Sequence, residues 1–215
     1  MKSRHTLACV TALLVATTWL LSGCSLFPKP KQDPTRYYVL TGPSVAAFNQ
    51  GLSKGALKVG VRSVSITPYL DGKAMIVRRG DNEIDYSEYA RWAEPIATGV
   101  SRMLVARLQG ADQVARVLVQ PFPFDVTRDV DVSINVLRCE GRVLPDGSAS
   151  VDFRCYLEVI RVAGKESVGG EVLLREVFEA KGLEWKEGDY AELARGISAA
   201  VAQLTDAIIV ALPAK

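Results

Sequence analysis

The sequence is poor in histidine, and this limits the chemistry that it can support. Among its 215 residues the single histidine is His5, close to the N-terminus. Histidine is the commonest general base near neutral pH and a frequent zinc ligand. Outside the N-terminal segment, the sequence therefore excludes Ser-His-Asp and Cys-His catalysis and histidine-ligated metal sites. We predict no enzymatic activity, no catalytic residues, no metal ligands and no cofactor.

An excess of charge of one sign is also lacking. The chain has 26 Lys and Arg residues against 24 Asp and Glu residues. Two of the basic residues, Lys2 and Arg4, lie in an N-terminal segment that we expect to be removed, which leaves charges of the two signs in balance. Nucleic-acid binding normally needs a clustered basic surface. No nucleic-acid partner is therefore predicted, and the sequence also has no P-loop, dinucleotide-binding fingerprint or internal repeat.

The chain has no apolar run long enough to serve as a clear membrane span. The run Thr6–Leu21 has about 16 residues, whereas a spanning helix needs about 20. It ends in Leu21-Ser22-Gly23-Cys24, which resembles a bacterial lipobox: an aliphatic residue, two small residues and a cysteine. We interpret residues 1–23 as a lipoprotein signal peptide and Cys24 as the lipidated residue. The alternative is a buried cysteine in a hydrophobic helix.

A short polar segment follows the predicted lipidation site. Residues 24–35 contain three prolines and few apolar side chains, which favours an extended chain without a core. We interpret them as a tether that reaches roughly 30 Å from the membrane. Ser25, rather than aspartate, follows Cys24, and by the usual sorting rule this predicts the periplasmic face of the outer membrane. Residues 36–215 are predicted to form a single domain.

Cysteines are few, and two of them flank a predicted hairpin. Cys139 and Cys155 lie on either side of the strong turn signal Pro145-Asp146-Gly147. Apolar residues alternate with polar ones over 130–136 before the turn and over 151–159 after it. This pattern predicts a long antiparallel hairpin with one buried face.

The pairing of the two cysteines depends on the register of that hairpin. With Val136 opposite Leu157, each cysteine would lie opposite an arginine, and a bulge near Leu137 would be needed to bring the cysteines together. We predict a disulfide between Cys139 and Cys155, as expected outside the cytoplasm. The alternatives are two free thiols, one of them at a strand edge, and a two-cysteine metal site.

The remaining pattern predicts strands with a helix in the middle and another at the end. Apolar residues recur at helical spacing after Pro95 as far as Gly110, and again after Asp189, which forms a capping-box-like pair with Glu192. The segments before, between and after the two helical patterns favour strands. We predict an α+β fold: a mostly antiparallel mixed sheet with two amphipathic helices packed on one face.

Several short motifs resemble one family. They are the Tyr-Tyr-x-Leu strand at Tyr37–Leu40, the turn at Pro68–Asp71 and the helix entry at Arg91–Pro95, in a chain with a lipobox and a closing helix. In this combination the sequence resembles the ABC-type transport auxiliary lipoproteins, the PqiC-like family of intermembrane transport lipoproteins. The motifs occupy about 30 residues, and the general resemblance covers nearly the whole predicted domain.

The resemblance implies a function that the residue patterns alone do not give. Such lipoproteins are accessory parts of systems that move lipids between the inner and outer membranes, and their partner is typically an inner-membrane protein with MCE domains. The resemblance thus implies a non-catalytic docking subunit, held by the lipid on Cys24, with self-association into a ring as a further possibility. Two alternatives are another envelope interaction protein, which assists outer-membrane assembly or cell-wall synthesis, and a hydrolase that uses carboxylates or a Ser-Lys pair.

The motifs also supply candidate partner-binding residues, which lie in the turn, near the following hairpin tip and at the helix entry. They are Tyr69, Leu70, Asp71, Arg78, Arg79, Trp92 and Glu94. Each has a structural alternative: a turn for the first three, a solvated hairpin for the arginines, and a core or first-turn position for the last two.

Overall fold

The computed structural model describes residues 32–42, 55–162 and 170–213. The chain divides into two units, Met1–Pro34 and Thr35–Lys215, and the second contains all of the regular structure described below. The predicted signal peptide 1–23 and most of the predicted tether, including Cys24, lie outside the described residues. Their assignment stays a prediction.

The described part of the domain contains nine strands, two helices and a short 3-10 turn at Pro68–Leu70. In chain order they are β1 (Arg36–Tyr38), β2 (Leu57–Val61), β3 (Ser65–Ile66), β4 (Ala74–Arg79), β5 (Glu83–Trp92), α1 (Ile96–Gln109), β6 (Val114–Val119), β7 (Val130–Val143), β8 (Ala149–Arg161), β9 (Glu171–Glu179) and α2 (Tyr190–Ala211).

The sheet is organised around β7. One edge of β7 pairs with β8 along its whole length, and β8 pairs with β9, both antiparallel. The other edge pairs with β2, β3 and β4 in turn, all parallel, so that the sheet forks into a β2–β6 branch and a β4–β5–β1 branch. The sheet is thus mixed, with long antiparallel and short parallel pairings. The prediction of an α+β fold is confirmed.

Both helices begin where the sequence signals predict, and α1 also ends where predicted. Helix α1 starts directly after Pro95, and Gly110 caps its C-terminus. Helix α2 starts after Asp189, whose side chain accepts a hydrogen bond from the backbone N–H of Glu192 at 2.9 Å. The Glu192 carboxylate does not complete the box at Asp189; it accepts from the backbone N–H of Lys186 at 2.7 Å. One of the unpaired N–H groups of the first turn is therefore capped by Asp189, and Glu192 fixes the chain that leads into the helix.

The core lies between the sheet and the two helices. Alternate residues of β7 and β8 point into it, among them Val132, Phe153 and Leu157, all fully buried. They meet the apolar stripe of α2, which includes Leu193 and Leu204. Among the described residues α2 is the one helix long and apolar enough to cross a membrane, but half of its most apolar window is buried inside the domain. It is a core helix.

The register of the long hairpin differs from the prediction. Val136 lies opposite Cys155 rather than Leu157, and the predicted bulge follows directly after Val136. The bulge shifts the pairing by one residue, so that Cys139 lies opposite Phe153. The cysteines stay offset by two residues along β8, and both are free and buried. The predicted disulfide is thus not formed in this structure, and neither thiol lies at a strand edge.

Candidate functional site

Two of the predicted binding residues, Tyr69 and Arg78, belong to a buried polar cluster. Its centre is Glu140 on β7, which is fully buried. Arg78 donates from Nε to one Glu140 oxygen, and the Tyr69 hydroxyl lies 3.0 Å from the other. A buried carboxylate needs partners of this kind, because an unpaired charge inside the protein is strongly destabilising.

Local structure brings these three side chains together. Strands β4 and β7 are parallel neighbours, which puts Arg78 beside Glu140. The 3-10 turn then lays Tyr69 over the pair, where its single hydroxyl proton is within reach of two acceptors, Glu140 Oε2 at 3.0 Å and the carbonyl of Leu137 at 3.1 Å. Arg78 also donates from Nη1 to the backbone carbonyl of Asp81 at 2.9 Å. The cluster therefore connects the turn, the β4–β5 hairpin and the central strand.

The electrostatics of the cluster oppose proton transfer. Burial, reinforced by the negative charge of Glu140 and a hydrogen bond to it, raises the pKa of Tyr69 to about 12. Burial alone would lower the pKa of Arg78, but its hydrogen bond and charge interaction with Glu140 outweigh that effect and raise it. Tyr69 thus stays protonated and Arg78 stays charged at neutral pH. We interpret the cluster as a structural clamp.

Two other predicted binding residues are part of the core. Leu70 and Trp92 are 3% and 4% exposed, and both belong to the main hydrophobic cluster. The backbone N–H of Trp92 donates to the carbonyl of Lys73 at 2.6 Å, which fixes the start of β4 against the end of β5. Both residues therefore occupy structural positions, Leu70 in the turn and Trp92 in the core, and neither side chain is presented to a partner in this structure.

The remaining three predicted residues reach the surface at different places. Asp71 is exposed directly after the 3-10 turn. Arg79 pairs with Asp85 at 2.5 Å and with Glu187 at 2.7 Å, and these hydrogen bonds raise the pKa of Arg79. Glu94 lies at the entry to α1. The seven predicted residues therefore do not form one binding surface.

The structure reveals a candidate site that the sequence reasoning missed: an open groove along the exposed side of α1. Its volume is 680 Å³. Val105 and Met103 of α1 form one wall, and Val64 and Val119, from the β2–β3 loop and the end of β6, form the other. Most of the exposed lining is apolar, and Arg102 is the one charged residue in it. We call this the α1 groove.

The chain after β1 helps to shape the α1 groove. It crosses α1 at Gly99, where any side chain would press against Leu40, since an added Cβ would lie 3.3 Å from its Cδ1. Arg102 donates from Nη2 to the carbonyl of Leu40 at 2.8 Å and to Oε1 of Glu94 at 2.6 Å. The backbone N–H of Thr41 donates to Oγ of Ser198 on α2 at 3.0 Å. Glu94, a predicted binding residue, thus positions the charged rim of the groove.

One sequence signal could have indicated this groove. The buried stripe of α1 runs through Val100, Leu104 and Leu108, and Val105 falls beside it. An apolar side chain next to the core stripe widens the apolar face beyond what the sheet covers. Val119, the last residue of β6, is 44% exposed and shows the same excess of apolar surface.

The described residues offer little for metal or thiol chemistry. No group of three His, Cys, Asp or Glu side chains that could hold a metal ion occurs among them. Burial raises the pKa of Cys139, with a further contribution from Glu140. Burial, together with the charge of Glu176, raises the pKa of Cys155 to about 12. Because the thiolate is the nucleophile, these thiols are unreactive at neutral pH.

Comparison with known proteins fits this fold and its N-terminal signals. The family model for the ABC-type transport auxiliary lipoprotein component matches residues 38–209. The chain belongs to this family. Membership confirms the resemblance inferred from the motifs, and it indicates an auxiliary role in transport and a membrane-anchored place in the cell envelope. No curated protein matches the chain.

Solved structures share the fold. The crystal structure of protein XCC0632 from Xanthomonas campestris, assigned to the DUF330 family, aligns with a TM-score of 0.64 at 16% identity, over 81% of this chain and 93% of that one. The crystal structure of an uncharacterized protein aligns with a TM-score of 0.58 at 19% identity, over 82% of this chain and 97% of that one. At these identities the likeness concerns the fold alone.

Proposed function

We propose that this family member is the accessory docking subunit of an MCE-type system that moves lipids between the inner and outer membranes and so maintains the integrity of the envelope. On this proposal it is non-catalytic, it is held at the periplasmic face of the outer membrane by lipid on Cys24, and it binds an inner-membrane protein with MCE domains. The observation that carries the proposal is the α1 groove on a domain whose family is auxiliary to transport.

The character of the groove supports docking. Large apolar grooves that remain open at the surface of a folded domain commonly mark binding sites. Here the walls come from a core helix and from the end of a strand, so the groove is held by the main fold. A preformed site loses less entropy when a partner binds.

The predicted anchor supports the same arrangement. A lipid on Cys24 and a tether of roughly 30 Å would hold the domain close to one membrane while leaving its surfaces free to turn. A partner rooted in the opposite membrane would then meet the domain in the periplasm. Several copies arranged in a ring would offer such a partner a closed docking surface, which native mass measurement of the purified lipoprotein can test.

The partner decides between this proposal and its alternative. We would cross-link the full-length chain in cells and quantify the recovered envelope proteins by mass spectrometry. We expect an MCE-domain protein to be enriched, and we expect Ser101→Glu, which puts a charge into the α1 groove, to reduce its recovery. Val210→Glu is the matched control, since Val210 is exposed on α2 and does not line the groove.

Two outcomes would contradict the proposal. Recovery of outer-membrane assembly or cell-wall synthesis proteins in place of an MCE-domain protein would favour the alternative function. Equal recovery with Ser101→Glu and Val210→Glu would show that the groove is not the docking site.

The anchor is tested by Cys24→Ala, which we expect to remove acylation and outer-membrane fractionation while the domain still folds. A variant that stayed in the membrane would refute the lipobox interpretation.

A further inference from the structure

Among the described strands β6 lies at one edge of the sheet, and its outward-facing backbone groups belong to alternate residues. Val59 and Val61 of β2 bond to the even-numbered residues of β6, as the hydrogen bond from the N–H of Gln120 to the carbonyl of Val61 at 3.0 Å shows. In a parallel pairing every second residue of a strand bonds to the partner strand, and the residues in between direct their N–H and C=O groups away from it. In β6 these are Ala115, Val117 and Val119.

The first half of this edge is already covered by a side chain. Gln109, the last residue of α1, donates from Nε2 to the carbonyl of Ala115 at 3.4 Å. Its Oε1 accepts from the backbone N–H of Val117 at 2.9 Å. One amide side chain thus imitates the backbone of a neighbouring strand, as expected where an exposed sheet edge has to be protected from pairing.

The second half of the edge is open. Within residues 32–42, 55–162 and 170–213, no hydrogen bond reaches the carbonyl of Val117 or the N–H and carbonyl of Val119. These three groups lie beside the α1 groove, because Val119 also lines it. An open strand edge and an apolar groove therefore adjoin at the end of β6.

We propose that an extended segment of the transport partner pairs with the open half of β6 and places its alternate apolar side chains in the α1 groove. This inference rests on the proposed function and names the element of the partner that docks. Adding a strand to an exposed sheet edge is a common mode of peptide recognition, in which backbone hydrogen bonds give affinity and a groove selects the side chains.

Hydrogen bonding favours an extended peptide over an apolar occupant. A helix or an acyl chain in the groove would cover Val119 and leave its N–H and C=O without partners, which is unfavourable once water is excluded. An extended backbone supplies both a donor and an acceptor at the required spacing.

A pair of substitutions at one position separates the backbone from the side chain. Val119→Ala removes the two γ-methyl groups but keeps the N–H donor, whereas Val119→Pro keeps three apolar side-chain carbons, as many as valine has, but removes the N–H donor. We would measure the affinity of each full-length variant for the MCE-domain protein recovered in cells. We expect Val119→Pro to bind about tenfold more weakly than Val119→Ala, the effect of one lost hydrogen bond that leaves an acceptor unsatisfied.

A second measurement does not depend on the folding of the proline variant. In the wild-type chain we expect hydrogen exchange at the Val119 amide to slow on addition of the partner, while the Val117 amide, already bonded to Gln109, changes much less. Equal affinity of the alanine and proline variants, or an unchanged exchange rate at Val119, would overturn the inference and leave the proposed function standing. Absence of any MCE-domain protein from the wild-type cross-links would overturn both.

Discussion

The buried ion pair between Glu140 and Arg78 makes a strong prediction about stability. Glu140→Gln keeps the size of the side chain and its ability to accept a hydrogen bond from Tyr69, but it removes the negative charge. The guanidinium of Arg78, whose side chain is 10% exposed, would then lie inside the sheet without a counterion. Removal of one partner of a buried pair typically destabilises a protein by about 3–5 kcal/mol.

The structure argues for the lower end of that range. Arg78 would keep its hydrogen bond to the carbonyl of Asp81, and the new amide oxygen could still accept from Arg78 or from Tyr69. We therefore expect Glu140→Gln to lower the free energy of unfolding by about 3 kcal/mol. Urea unfolding followed by circular dichroism measures this change, and an unaltered slope would show that the denatured state is the same.

Two controls make the reasoning refutable. In Arg78→Met/Glu140→Met the buried charges are absent together, and we expect most of the lost stability to return, because well-packed apolar pairs often replace buried ion pairs without net loss. Glu171→Gln breaks an exposed pair with Arg161 and should change stability by less than about 1 kcal/mol. A loss below about 1 kcal/mol for Glu140→Gln, or a double variant that is no more stable than Glu140→Gln, would refute the account of a buried charge.

Three further predictions follow from the core. Cys139 and Cys155 should resist a thiol reagent in the folded state, and both should react after unfolding without prior reduction. If neither reacted in the unfolded, unreduced protein, the two cysteines would be joined by a disulfide. Burial raises the pKa of the Cys155 thiol from 9.0 to about 12, so the folded state binds this proton more tightly than the unfolded state does. The free energy of unfolding should therefore fall as the pH rises from about 9 to 12, and it should fall less steeply in Cys155→Ala. Gly141→Ala should destabilise by about 1–3 kcal/mol because the new methyl overlaps the ring of Trp185, whereas Gly72→Ala, with open space around it, should be nearly neutral in the same urea assay.

Local sequence signals were sufficient to predict the helices and the long hairpin, but they were insufficient to predict which residues pair across the strands. The turn at Pro145-Asp146-Gly147 and the alternation on either side gave the long hairpin, and Asp189 gave the start of α2. The register failed, since alternation fixes which face a residue occupies but leaves its partner across the strand open. A bulge was anticipated near Leu137, yet its size and position decide whether Cys139 and Cys155 meet, and those depend on the packing of the whole sheet.

The candidate site depended even more on tertiary structure. Arg78 and Glu140 are 62 residues apart in the chain, and charged residues next to a hairpin normally point into solvent. Their burial follows from the parallel pairing of β4 with β7, for which the sequence has no local signal. The α1 groove likewise joins Val64, Val105 and Val119 from three separate elements. Family motifs pointed to Trp92 and Leu70, which proved to be core residues.

The fork in the sheet explains why such a polar cluster exists. Where β7 passes from the β2 branch to the β4 branch, only the two residues of β3 pair with it, so part of its edge has no long neighbouring strand. Thr67 covers the carbonyl of Val136 with both its N–H, at 3.0 Å, and its hydroxyl, at 3.1 Å. Tyr69 then covers the carbonyl of Leu137.

A gap of this kind cannot be closed by apolar side chains alone, because the edge of β7 presents carbonyl oxygens that need donors. The hydroxyls of the turn supply those donors, and Glu140 with Arg78 fixes the turn in place at the point where β4 joins β7. The other branch has the opposite arrangement: Gln109 closes the first half of the edge of β6, and among the described residues nothing pairs with the second half, beside the α1 groove. The need of backbone groups for hydrogen-bond partners thus explains the clamp in one branch, and in the other branch it leaves exposed donors and acceptors to which the strand proposed above could pair.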